Sequence, residues 1–298
     1  MKFLLTILTA AVLAGHAYTQ TEPSVNCTYQ NQTSGYTCVL NAFNPNGIDN
    51  FTAIEGEHLP GKISMDVRRI MSINTTTTTN IPSILCNSFR FADYLGIMNS
   101  FIGYVGPNAL RSCSVLTTLN LSNNKITDLA PNAFENNRFL RFLILDDNYL
   151  MELPDGLFRP LVHLQSLQIN QNFIQIIQTD VFSSHPVLET ISLNYNMILA
   201  LSPAFIDNTA VRNLYMSSNI CVSGFFYDLP KANLTVALQR CLDSYAAMQI
   251  PTTPLPTPPP GSCSDGNIYD RVCELESIVE ELSERINNLT TFRPNPHK

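Results

Sequence analysis

Along the middle of the chain, apolar residues fall in columns that return at a fixed step. Leu116, Leu119, Leu121, Asn124, Ile126, Leu129 and Phe134 recur as Leu140, Leu143, Leu145, Asn148, Leu150, Leu153 and Phe158. The register continues through Leu164, Leu167, Ile169, Asn172, Ile174, Ile177 and Phe182, then through Leu188, Ile191, Leu193, Asn196, Ile198, Leu201 and Phe205. The asparagines advance by 24, 24 and 24 residues, and a last turn, Val211, Leu214, Met216, Asn219, closes after 23. Backwards, Leu95, Ile97, Ile102, Val105 and Leu110 fit one more turn with Ser100 in the asparagine place. Residues 67–91 hold a degenerate turn broken by the run Thr75 to Thr79. Amphipathic helices with a 3.6-residue period do not produce columns locked at 24 residues. A stack of equivalent turns does.

The columns match L-x-x-L-x-L-x-x-N-x-L, the leucine-rich repeat, and each has a mechanical reason. L-x-L is a short strand with one face buried, since side chains alternate sides with period 2. Stacked turns join these strands into a parallel sheet. The asparagine stands where the chain bends inward, and its amide can serve backbone groups that the bend leaves without ladder partners. The phenylalanines at 134, 158, 182 and 205 are expected to fill the core under the convex side. The predicted fold is α/β: a leucine-rich-repeat solenoid, a horseshoe with its parallel sheet on the concave face, followed by a short C-terminal coiled-coil helix.

The ends of a solenoid expose apolar core and need caps. Cys27 and Cys38 precede the repeats, and Cys221 and Cys241 follow Asn219, so each pair is expected to bridge one cap. Cys86 and Cys113 fall on the convex side of neighbouring turns, in register to bridge. The expected organisation is a signal peptide over 1–17, an N-terminal cap over 18–66, repeats over 67–220 and a C-terminal cap over 221–249. A Pro-rich linker over 250–262 and a cysteine-flanked coiled coil over 263–298 complete it.

The signal peptide is read from Lys2, the apolar run Phe3 to Ala14 and the small-x-small site Gly15-His16-Ala17. No later apolar stretch of about 18 residues follows, which predicts no membrane span and a secreted, extracellular product. Sequons at Asn26, Asn31, Asn50, Asn74, Asn120, Asn233 and Asn288, together with an even cysteine count, agree with that compartment. From residue 251 the run Pro-Thr-Thr-Pro-Leu-Pro-Thr-Pro-Pro-Pro forms a semi-rigid spacer.

Beyond the spacer, Ile268, Val272, Leu275, Val279, Leu282, Ile286 and Leu289 are spaced 4, 3, 4, 3, 4, 3. Val272, Val279 and Ile286 take heptad position a, and Leu275, Leu282 and Leu289 take d, a choice that favours parallel two-stranded coiled coils. The partner is a second copy or another coiled-coil leucine-rich-repeat chain; the alternative is that the helix folds back on the solenoid. Cys263 and Cys273 flank its start. Cys263 is placed to bridge two chains, and an intrachain Cys263–Cys273 loop is equally compatible with the spacing.

The chain carries 17 Lys+Arg against 24 Asp+Glu, a net charge of −7, with no long basic block, so nucleic acid and anionic membrane are poor partners. His16, His58, His163, His185 and His297 show no metal-ligand spacing, and there is no nucleophile motif. No enzyme and no cofactor are implied. Positions around each L-x-L offer a largely neutral binding face: Tyr94, Phe142, Ile144, Asp146, Asp147, Gln168, Asn170, Tyr195 and Tyr215. Ordinary exposed strand positions would read the same way.

The order of signal peptide, cysteine-flanked repeats and C-terminal coiled coil resembles the mosquito leucine-rich immune proteins. That resemblance implies a haemolymph protein that dimerises through the seam Val272 to Leu289 and a Cys263 bridge. It further implies that the dimer holds a thioester-containing, complement-like protein for deposition on pathogens. In this sequence the coiled coil is short and no adjacent Cys-Cys pair follows the repeats. The competing expectation is a monomeric secreted ligand-binding or decoy protein that uses its concave face.

Overall fold

Each L-x-L segment forms a three-residue strand. In the computed structural model these are β7 (Thr118–Asn120), β9 (Phe142–Ile144), β10 (Ser166–Gln168), β12 (Thr190–Ser192) and β14 (Asn213–Tyr215). The structure describes residues 24–249 except 42–52, 74–79, 179–180, 183–184, 208–209 and 229. The signal peptide, the Pro-rich linker and the coiled-coil segment lie outside the described residues.

The strands pair in parallel one repeat apart, Thr118 with Phe142, Phe142 with Ser166, Ser166 with Thr190 and Thr190 with Asn213. Leu119, Leu143, Leu167, Ile191 and Leu214 point into the core and are buried. Burying each of these side chains is worth roughly 2 kcal/mol. On the far side of the core, Phe134, Phe158 and Phe182 stack ring on ring at 6.1 and 5.9 Å, and Phe205 meets Phe182 edge-on at 5.6 Å. Short two-residue strands pair in parallel between turns, β6 (Tyr104–Val105) with β8 (Asp128–Leu129) and β11 (Ile176–Ile177) with β13 (Ala200–Leu201).

The degenerate turn over 67–91 contributes a strand to the same sheet. β4 (Arg69–Ile73) pairs in parallel with β5 (Tyr94–Met98), with Ile70 buried beside Leu95. The short helix α1 (Ile84–Ser88) follows, burying Leu85 and Cys86.

The N-terminal cap is an antiparallel hairpin, β1 (Ser24–Gln32) and β2 (Gly35–Asn41), with β3 (Ala53–Glu55) on its outer edge. Its turn uses Gly35 at φ +128°, a conformation that L side chains rarely adopt. Tyr29 and Tyr36 stack at 5.7 Å, and the Tyr36 hydroxyl meets His58 Nδ1 at 3.1 Å.

At the other end β15 (Phe225–Tyr227) turns back antiparallel to β14. The helices α2 (Ala204–Asp207), α3 (Lys231–Ala237) and α4 (Gln239–Gln249) lie on this side of the chain, and Leu238, between the last two, is fully buried. The sheet has eleven strands in the order β15-β14-β12-β10-β9-β7-β5-β4-β2-β1-β3.

Candidate functional site on the open face of the sheet

The turns that frame the face are held by side-chain amides. Asn124 Nδ2 donates to the carbonyls of Ile97 (2.8 Å) and Leu121 (2.9 Å), while its Oδ1 accepts from Ile102 N–H (3.2 Å). Asn148, Asn172, Asn196 and Asn219 repeat the arrangement one turn later each. These bonds satisfy buried groups that have no ladder partner at the bend.

A second polar ladder runs two positions earlier. Asp146 Oδ1 accepts from Asn170 N–H and Nδ2, Asn170 Oδ1 accepts from Asn194 N–H and Nδ2, and Asn194 Oδ1 accepts from Ser217 N–H. Burial pushes the Asp146 carboxyl above its ordinary value, with Asp147 adding to the rise and the Asn170 bonds opposing it. Asp146 and Asn170, expected as ligand contacts, are half-buried and join one turn to the next through these bonds.

Between the two ladders every turn bends through a left-handed residue: Asn99, Asn123, Asp147, Gln171, Tyr195 and Ser218, all at φ between 51° and 57°. Asp147 and Tyr195 therefore project from the bend after the strand. They do not lie on the strand itself.

The face proper has two columns. One is Arg69, Tyr94, Thr118, Phe142, Ser166, Thr190, Asn213 and Tyr227. The other includes Gly96, Asn120, Ile144, Gln168, Ser192, Tyr215 and Phe225. Of the expected contacts, Tyr94, Phe142, Ile144, Gln168 and Tyr215 stand here, half-buried or exposed.

Aromatic groups mark both ends of the columns. Tyr94 lies across Gly96, where an added Cβ would sit 2.9 Å from the ring, and the Arg69 guanidinium covers Tyr94 at 3.7 Å. At the far end Tyr215 meets Phe225 and Tyr227 edge-on at 5.9 and 5.5 Å. Arg69, Phe225 and Tyr227 escaped the sequence reading because β4 is a degenerate turn and β15 is not a repeat strand. Their only signal was proximity to the first and last repeats.

The structure pairs Cys27 with Cys38, Cys86 with Cys113 and Cys221 with Cys241. Asn26, Asn31 and Asn233 are exposed, whereas Asn120 is half-buried on the face and accepts Ser122 N–H at 2.9 Å. Asn50, Asn74, Asn288, Cys263, Cys273 and the heptad positions Ile268 to Leu289 lie outside the described residues. Among the described residues no cluster of three His, Cys, Asp or Glu could hold a metal, and no helix is long and apolar enough to cross a membrane.

The family model described as leucine rich repeat matches residues 93–150, 140–198 and 162–220. Among solved structures, the chain is similar to the crystal structure of the APL1 leucine-rich repeat domain, at 21% identity and a TM-score of 0.54. The match covers 67% of this chain and 50% of that one, so this chain spans half the length of that structure. No curated protein matches. Residues 93–220 are leucine-rich repeats, and the fold they build is a leucine-rich-repeat solenoid.

Proposed function

We propose that the protein is secreted and works by binding other proteins, as an innate-immune scaffold that pairs with a second chain through its C-terminal heptads. The observation that carries the binding reading is the open face. Eight strands, β4 to β15 along the sheet, present hydroxyl, amide and aromatic side chains on one continuous surface. Such a surface offers many shallow contacts and no enclosed chemistry, which suits a macromolecular ligand.

The signal sequence, the sequons and the three disulfides support an extracellular setting. The module order supports the immune reading, with a thioester-containing, complement-like protein as the cargo. In it the seam from Val272 to Leu289 pairs two chains and Cys263 bridges them.

The test is the mass of the secreted full chain by light scattering, beside a truncation after Ser262, with reducing and non-reducing gels. A dimer lost on truncation is expected. Capture of the thioester protein is then compared between the wild type and Phe142→Asp, with loss expected in the variant. A monomer in both forms overturns the scaffold and leaves a monomeric binder that uses the face alone.

A further inference from the structure

Five of the twelve arginines of this acidic chain lie at one edge of the face. Arg68, Arg69, Arg90, Arg138 and Arg141 lie where the chain enters β4, β5 and β9, and Asp146 and Asp147 lie where it leaves β9. Three of the guanidinium groups are seated on aromatic rings. Arg68 lies 5.6 Å from the centre of Phe91, Arg69 3.7 Å from Tyr94, and Arg141 5.8 Å from Phe142.

Other bonds fix two of these further. Arg68 Nη1 donates to the Phe91 carbonyl at 3.1 Å, and Arg141 donates through Nε and Nη2 to Gln165 Oε1 at 3.2 and 3.0 Å. Arg69, Arg90 and Arg138 make no side-chain hydrogen bond or ion pair among the described residues, and Arg69 Nε is buried without an acceptor. The carboxylates close by in the chain are Asp66, Asp93 and Glu135; Asp93 stands one residue before β5, and the next turn carries Thr117 in its place. Beside the arginines runs an exposed apolar row, Phe91, Val115 and Phe139, at 44%, 36% and 57% exposure.

We propose that this corner docks an acidic protein segment whose carboxylates alternate with apolar side chains, a reading that rests on the open face being a protein-binding surface. Charge complementarity selects the partner: five arginines stand against three carboxylates, Asp66, Asp93 and Glu135, in a chain whose net charge is −7. Planar guanidinium groups held on rings lose little freedom when a carboxylate takes their remaining N–H groups, and Arg–aromatic sites of this kind concentrate binding energy. The apolar row calls for hydrophobic side chains between the acids, which a simple polyanion lacks. Arg69 and Arg141 stand three strand spacings apart, about 14 Å, a span matched by about ten residues of helix.

The test uses the full chain and fluorescence anisotropy with a labelled 16-residue amphipathic peptide bearing Glu and Leu, beside its Gln-for-Glu analogue. The acidic peptide is expected to bind at least tenfold more tightly than the analogue. It should weaken about tenfold in the double variant Arg69→Ala, Arg141→Ala and again on raising salt, as screening requires. Arg240→Ala, on α4, should change nothing. The pair Arg69→Lys, Arg141→Lys keeps charge without the planar fork; it should fall between, and it carries the test if the alanine pair does not fold.

Equal affinity for the two peptides, or indifference to the arginine substitutions, overturns the proposal. So does tighter binding of a heparin oligosaccharide or of phosphatidylserine vesicles through the same arginines. The two readings fail separately. A protein captured through Phe142 that ignores both salt and the arginines keeps the open face as a binding surface and removes this corner from it.

Discussion

Asp146 receives both nitrogens of Asn170 through a single oxygen, the main-chain N–H at 2.7 Å and Nδ2 at 2.9 Å, across one full repeat. An asparagine in that place would accept the same two bonds without carrying charge into a desolvated site, as Asn170 itself does for Asn194. Because burial raises the Asp146 pKa, the folded chain binds this proton more tightly than the unfolded chain. The contribution to stability is fully present below the ordinary carboxylate range and is lost as pH rises through the raised value. Asp146→Asn is therefore expected to melt about 1 to 2 °C above the wild type at pH 7. Melts repeated at falling pH should show the gap closing; a gap that widens toward acid refutes the assignment.

Removing the amide at Asn148 strips the partner from Ile126 N–H, while the carbonyls of Leu121 and Leu145 lose one of two amide donors and keep those of Asn124 and Asn172. A buried backbone group left unsatisfied costs about 1–3 kcal/mol, so Asn148→Ala should lose about 1–3 kcal/mol in urea denaturation. The two neighbouring turns should exchange their amide hydrogens first.

Tyr195 occupies a left-handed bend at φ 54° and is 62% exposed. A non-glycine residue there costs on the order of 1 kcal/mol, and Asn tolerates the conformation better. Tyr195→Asn should gain up to about 1 kcal/mol in stability. Capture of a protein ligand measured beside the melt shows whether the tyrosine is kept for contact, in which case binding falls as stability rises.

An added methyl at Gly96 meets the Tyr94 ring at 2.9 Å, so the outer end of this side chain must shift against the Arg69 guanidinium that covers it. Gly96→Ala should cost no more than about 1–2 kcal/mol, within the range for overpacking. Because the Arg69 guanidinium rests on that ring, anisotropy with the acidic peptide should report weaker binding from a residue that touches no ligand.

The bridge Cys221–Cys241 closes a loop of 20 residues around the C-terminal cap. Its replacement by serines should cost about 3 kcal/mol. Hydrogen exchange should rise first in α3 and α4, and the central repeats should stay protected. Uniform loss of protection would contradict a cap that unfolds on its own.

The buried columns and the amide ladder at Asn124, Asn148, Asn172 and Asn196 were legible because each place demands one side-chain chemistry every 24 residues. The left-handed column was not. Its occupants are Asn, Asn, Asp, Gln, Tyr and Ser, since the stacked turns impose that bend whatever residue stands there. The second ladder was hidden for a related reason: Asp146 reads as a binding-face position, because its acceptor role appears only when Asn170 is brought beside it. The strand over Arg69–Ile73 belongs to a degenerate turn and the reversal at Phe225–Tyr227 to no repeat, so periodicity was silent about Arg69, Phe225 and Tyr227 at the two ends of the face.

The phenylalanine rings behind the core stand 5.6 to 6.1 Å apart from one turn to the next, whereas neighbouring strands are about 4.8 Å apart. A stack that is wider at its back than at its front must bow toward the front. The difference, roughly 1 Å per turn, sets the radius of the surface presented to a ligand. Trimming Phe158 or Phe182 to leucine would let the back close and the front open out, altering fit without changing one exposed atom. The shape that a partner meets is governed by rings it never touches.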